Sequence, residues 1–246
     1  MFTNLETYQS RFWLKEEFLK KIGKSSSGFL LELFSRVDAL VDQDLVYYDH
    51  QMDMETCFEK YSFHEFKWHQ TPNGDMEWIF MLNRQGYLVD LAVAFYITKE
   101  EKYLKKWKEI VFDFILENEK EISHPEASWR VLDAGIRLMN WVKSLTYLPL
   151  SKFSEVERKQ IQEAMSLHVN YIRTHLQEKH LLSNWGVLAV SGVLSFVYFF
   201  DEQPELYLWA KETLLKQASL QFTKTGLHWE QSPLYHHQVV MCFAYL

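Results

Sequence analysis

Cysteine is nearly missing from this chain: its 246 residues include two, Cys57 and Cys242. Placed so far apart, they form neither a redox pair nor a metal-ligand spacing, and their scarcity excludes a disulfide-stapled scaffold. Core packing in a reduced, cytoplasmic setting is the expectation. Glycine and proline are also few, 8 and 5, which rules out collagen-like and low-complexity classes. No run is long and apolar enough to span a bilayer, and the opening Met1-Phe2-Thr3-Asn4-Leu5 has no basic segment followed by an apolar one. Neither a membrane partner nor a secretory leader is therefore expected. Positive charge is short as well: 26 Lys and Arg against 33 Asp and Glu leave a net charge of −7. Nonspecific nucleic-acid binding is set aside on that balance, while a local basic cleft for an acidic ligand stays open.

What the chain has in quantity is apolar and aromatic surface, 48% hydrophobic residues and nine tryptophans. That suffices for one sizeable core. Most of the rings belong inside it, although flat aromatic rings also make platforms for sugars. Segment 99–118 sets Tyr103, Leu104, Trp107, Ile110, Val111, Phe114 and Ile115 at helical spacing on one face. Thr98-Lys99-Glu100-Glu101 and Ser154-Glu155-Val156-Glu157 both match the capping-box pattern, and Pro149 marks a stop. The periodicity predicts helices near 5–22, 29–41, 76–97, 99–118, 126–147, 154–177, 184–200, 204–222 and from 233 onward. Residues 42–75 lack a helical period and carry the turn signal Thr71-Pro72-Asn73-Gly74-Asp75, so an irregular extended segment is predicted there. The chain divides accordingly into an N-terminal part, 1–75, packing on a helical domain, 76–246.

The helices alternate in character. Segment 184–200 has no charged residue and must be buried on all sides, whereas 154–177 and 204–222 are charged on one face. Short connections make successive helices antiparallel, so 76–97, 126–147, 184–200 and 233 onward run in one sense as an inner ring. The predicted fold is all-α, an incomplete (α/α) toroid of antiparallel helix pairs. Their N-termini would share one rim, bringing together Trp78, Asn83 and Arg84, then Trp129, Arg130 and Asp133, then Asn184 and Trp185, then Tyr235 and His236. Positive helix ends, arginines, an amide and a phenol around one mouth suit a carboxylate-bearing ligand. The plainer alternative pairs Arg130 and Arg137 with acids such as Glu126 and Asp133.

The run Glu230-Gln231-Ser232-Pro233-Leu234-Tyr235-His236-His237 concentrates reactive side chains at a helix start. Ser232 suits the N-cap and Pro233 the first helical position, which places Tyr235 in the opening turn, where the dipole favours anions. A phenol there is poised to give or take a proton. His236 and His237 are consecutive and point in different directions, so at most one shares that cleft.

Taken together, Asp75-Met76-Glu77-Trp78, Leu82-Asn83-Arg84, Trp129-Arg130, Gly135-Ile136-Arg137, Asn140-Trp141, Ser183-Asn184-Trp185-Gly186 and Glu230-Gln231-Ser232-Pro233 followed by Tyr235-His236 resemble the N-terminal α/α-toroid domain of the heparinase II/III-like polysaccharide lyases. The resemblance covers most of residues 45–246. It implies β-elimination on a uronic-acid-containing polysaccharide or oligosaccharide, with heparin- or heparan-sulfate-like glycosaminoglycans foremost. By position it gives Asn184 the neutralisation of the uronate carboxylate and Tyr235 the proton transfers. Arg84, Arg130, Arg137, Asn140, Trp141, Trp185, Glu230, Gln231 and His236 become substrate-binding residues. The resemblance also implies no cofactor in this segment, and a following β-sandwich domain that supplies a further histidine and often a metal. One departure stands out: Trp185 occupies the position after the asparagine where many relatives have histidine, so the carboxylate contact expected there is lost or moves to His236, His237 or His180. Two other readings remain, a uronyl hydrolase using carboxylates such as Asp133 or Glu230, and a non-catalytic glycan-binding scaffold.

Overall fold

The computed structural model describes residues 27–46, 60–62, 68–118, 122, 124–200 and 203–243. The predicted helix 5–22 and Cys57 lie outside them. The helices are α1 (Ser27–Gln43), α2 (Met76–Arg84), α3 (Tyr87–Thr98), α4 (Glu101–Glu117), α5 (Pro125–Ser128), α6 (Val131–Leu145), α7 (Glu155–His175), α8 (Glu178–Leu181), α9 (Asn184–Phe200), α10 (Pro204–Gln221) and α11 (Pro233–Phe243). Two short strands, β1 (Leu45–Val46) and β2 (Tyr61–Ser62), pair antiparallel with Leu45 opposite Ser62. The architecture is all-α, as expected, and among the described residues no helix is long and apolar enough to cross a membrane.

Local signals account for many of the boundaries. Ser154 and Glu157 form the reciprocal capping box that opens α7. Asp75 caps α2 by accepting from the Glu77 N–H, and Asn73 Oδ1 in the preceding turn accepts from Thr71 Oγ1 and Asp75 N. The second capping box does not form. Thr98 is the last residue of α3; its hydroxyl donates to Ala94 O and accepts from Glu100 N, and Glu100 starts α4 without a side-chain cap.

Two predicted helices are each broken in two. Segment 76–97 divides where Gln85 turns left-handed at φ 55°, its N–H donating to Leu82 O. The break aims the Gln85 side chain at the core, where its Oε1 accepts from the Trp141 indole at 2.6 Å. Segment 126–147 divides at Trp129-Arg130: the indole of Trp129 donates to Asn118 Oδ1 at 2.7 Å, and Arg130, at φ −54° and ψ 142°, is non-helical before α6 begins. Tertiary hydrogen bonds from aromatic N–H groups thus override helical periodicity at both points.

The inner layer follows from specific approaches. A Cβ on Gly135 would lie 2.4 Å from the Cα of Ala189, and one on Gly192 2.4 Å from the carbonyl oxygen of Gly135. The α6 and α9 backbones therefore touch, which only glycine permits there. Arg130 lies beside Trp185 at the start of this pair, so the two helices run in one sense. Tyr198 meets Tyr207 where α9 turns into α10, and Gln217 near the end of α10 reaches back to His180 O, which makes α10 antiparallel to α9. Cys242 packs near Ser191 and Trp229 reaches Leu182, so α11 runs with α9. Trp78, Trp107, Trp129 and Trp141 are wholly buried.

A polar group sits among these rings. Arg137 is fully buried; its Nη1 donates to Asn83 O and Ser128 O, its Nε to His168 Nε2 at 2.7 Å, and its guanidinium lies over Phe114 and Trp129. Because Nε2 of His168 accepts, the ring proton is on Nδ1, which donates to Ala164 O. Burial, then the adjacent guanidinium, holds this imidazole well below its ordinary 6.5. In the unfolded chain the same group takes a proton below about pH 6.5, so its contribution is complete above that value and is lost as pH falls toward the folded value. The melting temperature should drop from pH 7 to 5.5, and His168→Gln, which keeps an acceptor for Arg137, should flatten the decline. His180 and His228 are lowered by burial too and contribute with the same sign, so part of the slope should remain. An unchanged slope in calorimetric scans of His168→Gln would refute this assignment.

Candidate active site at the helix N-termini

Asn184 opens α9 and Trp185 follows it. Asn184 is 8% exposed, yet its amide atoms are not sealed in, and among the described residues its side chain has no hydrogen-bonding partner. Trp185 projects outward, 40% exposed. The guanidinium of Arg130 lies 5.1 Å from its ring centroid and also stacks on Phe80, at 3.1 Å. Phe80 belongs to α2, so three elements converge on one arginine.

Asp133, in the first turn of α6, fixes two arginines. Its Oδ1 accepts from Arg84 Nε at 2.8 Å and from Arg130 Nη2 at 3.1 Å, and its Oδ2 from Arg130 Nε at 2.5 Å. Asp133 is completely buried, while the arginine side chains remain 17% and 18% exposed. One buried carboxylate thus gathers two guanidiniums, and Arg130 brings its own against Trp185 at the N-terminus of α9, where the helix dipole also favours an anion. The ion-pair alternative raised from sequence therefore holds for Arg130, at i, i+3 spacing. It does not remove the arginine from the cleft.

Tyr235 lies in the opening turn of α11, its backbone N–H donating to Ser232 Oγ at 3.4 Å while the His236 N–H reaches the Ser232 carbonyl at 2.8 Å. Its ring is 38% exposed, and its hydroxyl has no partner among the described residues. Because α9 and α11 run in one sense, Asn184 and Tyr235 begin neighbouring helices at the same end. The loop before Tyr235 is tied to the segment before Asn184, with the Trp229 indole donating to Leu182 O at 2.9 Å. Gln231 is left-handed, at φ 54°, which turns the chain into α11 and leaves its side chain outside. Glu230 is half-buried close to His228. His236 is also half-buried; its Nδ1 accepts from His228 N at 3.3 Å and its ring meets Phe222 edge-on.

Several residues expected at the mouth lie elsewhere. Arg137 and Trp141 are core: both are fully buried, the first spent on backbone carbonyls and His168, the second on Gln85. Asn140 donates to Arg84 O at 2.8 Å, bracing the end of α2. Trp78, Asn83 and Trp129 are buried as well. Arg84 belongs to the last turn of α2, not the first, and reaches the rim because the helix breaks immediately after it. A separate cavity of about 210 Å³ opens between α4 and α7, lined by Phe114, Trp129, Glu163 and His168 among others. The polar groups on its floor are already bonded internally. Among the described residues no three His, Cys, Asp or Glu side chains gather as metal ligands.

Sequence reasoning missed Gln217, Gln221, His228 and Trp229. A signal existed: Leu206, Ala210, Leu214, Gln217 and Gln221 are the buried residues of α10, so two glutamines continue an apolar stripe.

The arrangement can therefore offer an anion a free amide at the start of α9, with the Arg130 guanidinium against the neighbouring Trp185 and a phenol at the next helix start. In backbone structure the chain is similar to heparan sulfate lyase HepC from Pedobacter heparinus, with a TM-score of 0.70 and 17% identity over 87% of this chain and 34% of that one. It is likewise similar to a crystal structure of heparinase III, with a TM-score of 0.72 and 21% identity over 98% of this chain and 37% of that one. The chain thus spans about a third of the length of these neighbours. No curated protein matches it by sequence. Residues 30–246 match the family described as Heparinase II/III N-terminus, and the chain belongs to that family.

Proposed function

We propose that this chain is the toroid portion of a polysaccharide lyase that cleaves a uronate-containing glycosaminoglycan, heparan-sulfate-like polymers foremost, by β-elimination. The observation that carries the reading is the side-chain amide of Asn184: among the described residues it stands without a protein partner, at a positive helix end whose next residue, Trp185, lies against the Arg130 guanidinium held by Asp133. The C5 proton of a uronate is weakly acidic because its neighbouring carboxylate is negative, so that charge must be offset before a base can act. Asn184 supplies the amide for the carboxylate, and Arg84 and Arg130 the surrounding positive field. Loss of the C5 proton then places the electron pair in a new C4–C5 double bond as the C4–O4 bond breaks. Entering as the phenolate, Tyr235 takes the C5 proton and passes it to the departing O4, which restores the phenolate and balances the elimination. Trp185, backed by Arg130, offers a sugar platform, and Gln231 and His236 flank the start of α11 for hydroxyl or acidic groups. The reading includes a following β-sandwich domain in the same polypeptide as the other wall of the cleft.

The hydrolase reading is weakened by Asp133. A hydrolase needs a protonatable acid and a second free carboxylate, but both oxygens of Asp133 are committed to arginines in a fully buried setting. The test is ultraviolet absorbance of the full-length protein incubated with heparan sulfate, hyaluronan, chondroitin and alginate. A lyase generates a conjugated C4–C5 double bond, so absorbance should rise on at least one polymer. Loss of absorbance from unsaturated oligosaccharides would establish the hydrolase, and no change with any of them would leave a binding scaffold.

A further inference from the structure

The three carbonyls immediately before Asn184 are all collected by one neighbouring segment. Gln221 Nε2 donates to Leu181 O at 2.8 Å and to Ser183 O at 3.1 Å, and the Trp229 indole takes Leu182 O between them. The same glutamine faces the other way too. Its Oε1 accepts from His228 Nε2 at 3.0 Å, and its backbone carbonyl accepts from Trp229 N at 2.8 Å. His228 N then donates to Nδ1 of His236, the residue after Tyr235. Gln221 is fully buried and His228 1% exposed.

We infer that Gln221 is a positioning residue for the elimination: its buried carboxamide sets where Asn184 presents its amide and couples that placement to the loop that delivers Tyr235. The inference rests on the lyase reading of Asn184 and Tyr235. Those two residues are far apart in sequence and belong to different helices, yet a shared reaction requires their polar atoms to be held to within about half an ångström of the productive geometry. Neither helix fixes the other alone. The carboxamide does so because it has two N–H donors, one for each of two carbonyls, and an acceptor for an imidazole N–H. A methionine would fill the same volume and leave those partners unpaired. A glutamate would accept from His228 and could not bridge the carbonyls. Next to it, Gln217 donates to His180 O, and a Cβ on Gly186 would lie 2.0 Å from that same oxygen, so the turn into α9 is closely packed on α10.

A merely structural role and a positioning role differ in kinetics. Misplacing a reactive group by about an ångström costs up to ~10²-fold in turnover, and it lowers kcat without a matching rise in KM. Gln221→Met and Gln221→Glu should be prepared in the full-length protein, with melting temperatures and hydrogen exchange at the amides of residues 182–186 measured alongside kcat and KM on a heparan-sulfate substrate. Expected are a fall in kcat of roughly 10-fold to 10²-fold, a KM within about twofold of the parent value, and faster exchange confined to 182–186. A folded variant with parental kcat overturns the inference, as does a loss expressed wholly in KM. Should Gln221→Met fail to fold, Gln221→Glu, which retains the acceptor, carries the comparison. The underlying reading is judged separately: if Tyr235→Phe and Asn184→Ala both keep turnover, the lyase assignment fails whatever Gln221 does. If those two are inactive and Gln221 is dispensable, only the coupling fails.

Discussion

Tyr235→Phe in the full-length protein is expected to reduce elimination by at least ~10²-fold, the usual worth of a positioned acid or base, with almost no change in melting temperature. The separation of the two effects follows from where Tyr235 sits. Its hydroxyl meets no group among the described residues, and the ring is more than a third exposed, so phenylalanine keeps every contact the ring makes and removes only the proton carrier. An exposed substitution of this kind is normally within about 0.5 kcal/mol of neutral. The backbone around it is held independently, by Pro233 at the first helical position and by the Ser232 oxygens. Turnover like that of the parent would defeat the proton-transfer role even with the lyase reading intact, and His236 would then be the next group to examine. A loss that merely follows a lowered melting temperature would make Tyr235 a packing residue.

How much of this was legible beforehand depends on whether the deciding interaction is local. The opening of α11 was, because Ser232 and Pro233 act on the next three residues. So was α9: a 17-residue helix with no charge has nowhere to lie but inside. The inner-ring sense followed from short connections and agrees with the pairing of α6, α9 and α11. What sequence could not show are the places where a distant polar group decides. Gln85 breaks a continuous helical pattern in order to meet Trp141, and Trp129 leaves its helix to meet Asn118. Arg137 looked like a cleft arginine because arginine is rarely buried. It is buried here because carbonyls from two other segments, an imidazole and two aromatic faces converge on it.

The same distinction separates the arginines that line the mouth from the one that does not. Arg84 and Arg130 share a buried carboxylate while their own side chains stay partly exposed. Arg137 has no carboxylate within ion-pairing distance among the described residues, and neutral acceptors surround it. From sequence all three sat beside apolar helical positions with acids nearby. Gln221 shows the converse case: it ends a helix charged on one face, yet its spacing from Leu206, Ala210 and Leu214 places it inside.

Asn184→Ala is expected to lower turnover by ~10²–10³-fold, by analogy with removing one donor that stabilises a developing oxyanion. As the uronate loses its C5 proton, charge moves onto the carboxylate oxygens, and a donor aimed there gains strength as the transition state is reached. The loss should therefore fall mainly on kcat. Folding should be little affected for a specific reason: among the described residues the amide satisfies no protein group, so its removal orphans none of them, and the hydrogen bonds that hold the preceding turn come from Gln221 and Trp229 acting on backbone carbonyls. Asn184→Asp sharpens the comparison, since it is nearly isosteric and replaces a donor by a negative charge facing the substrate carboxylate. Its turnover should be no higher than that of Asn184→Ala, and its KM should be raised, with the increase partly relieved by salt because the repulsion is screened. If Asn184→Asp retained more activity than Asn184→Ala, the side chain would be acting through its shape or as an acceptor, and carboxylate neutralisation would have to be reassigned to Arg84 and Arg130.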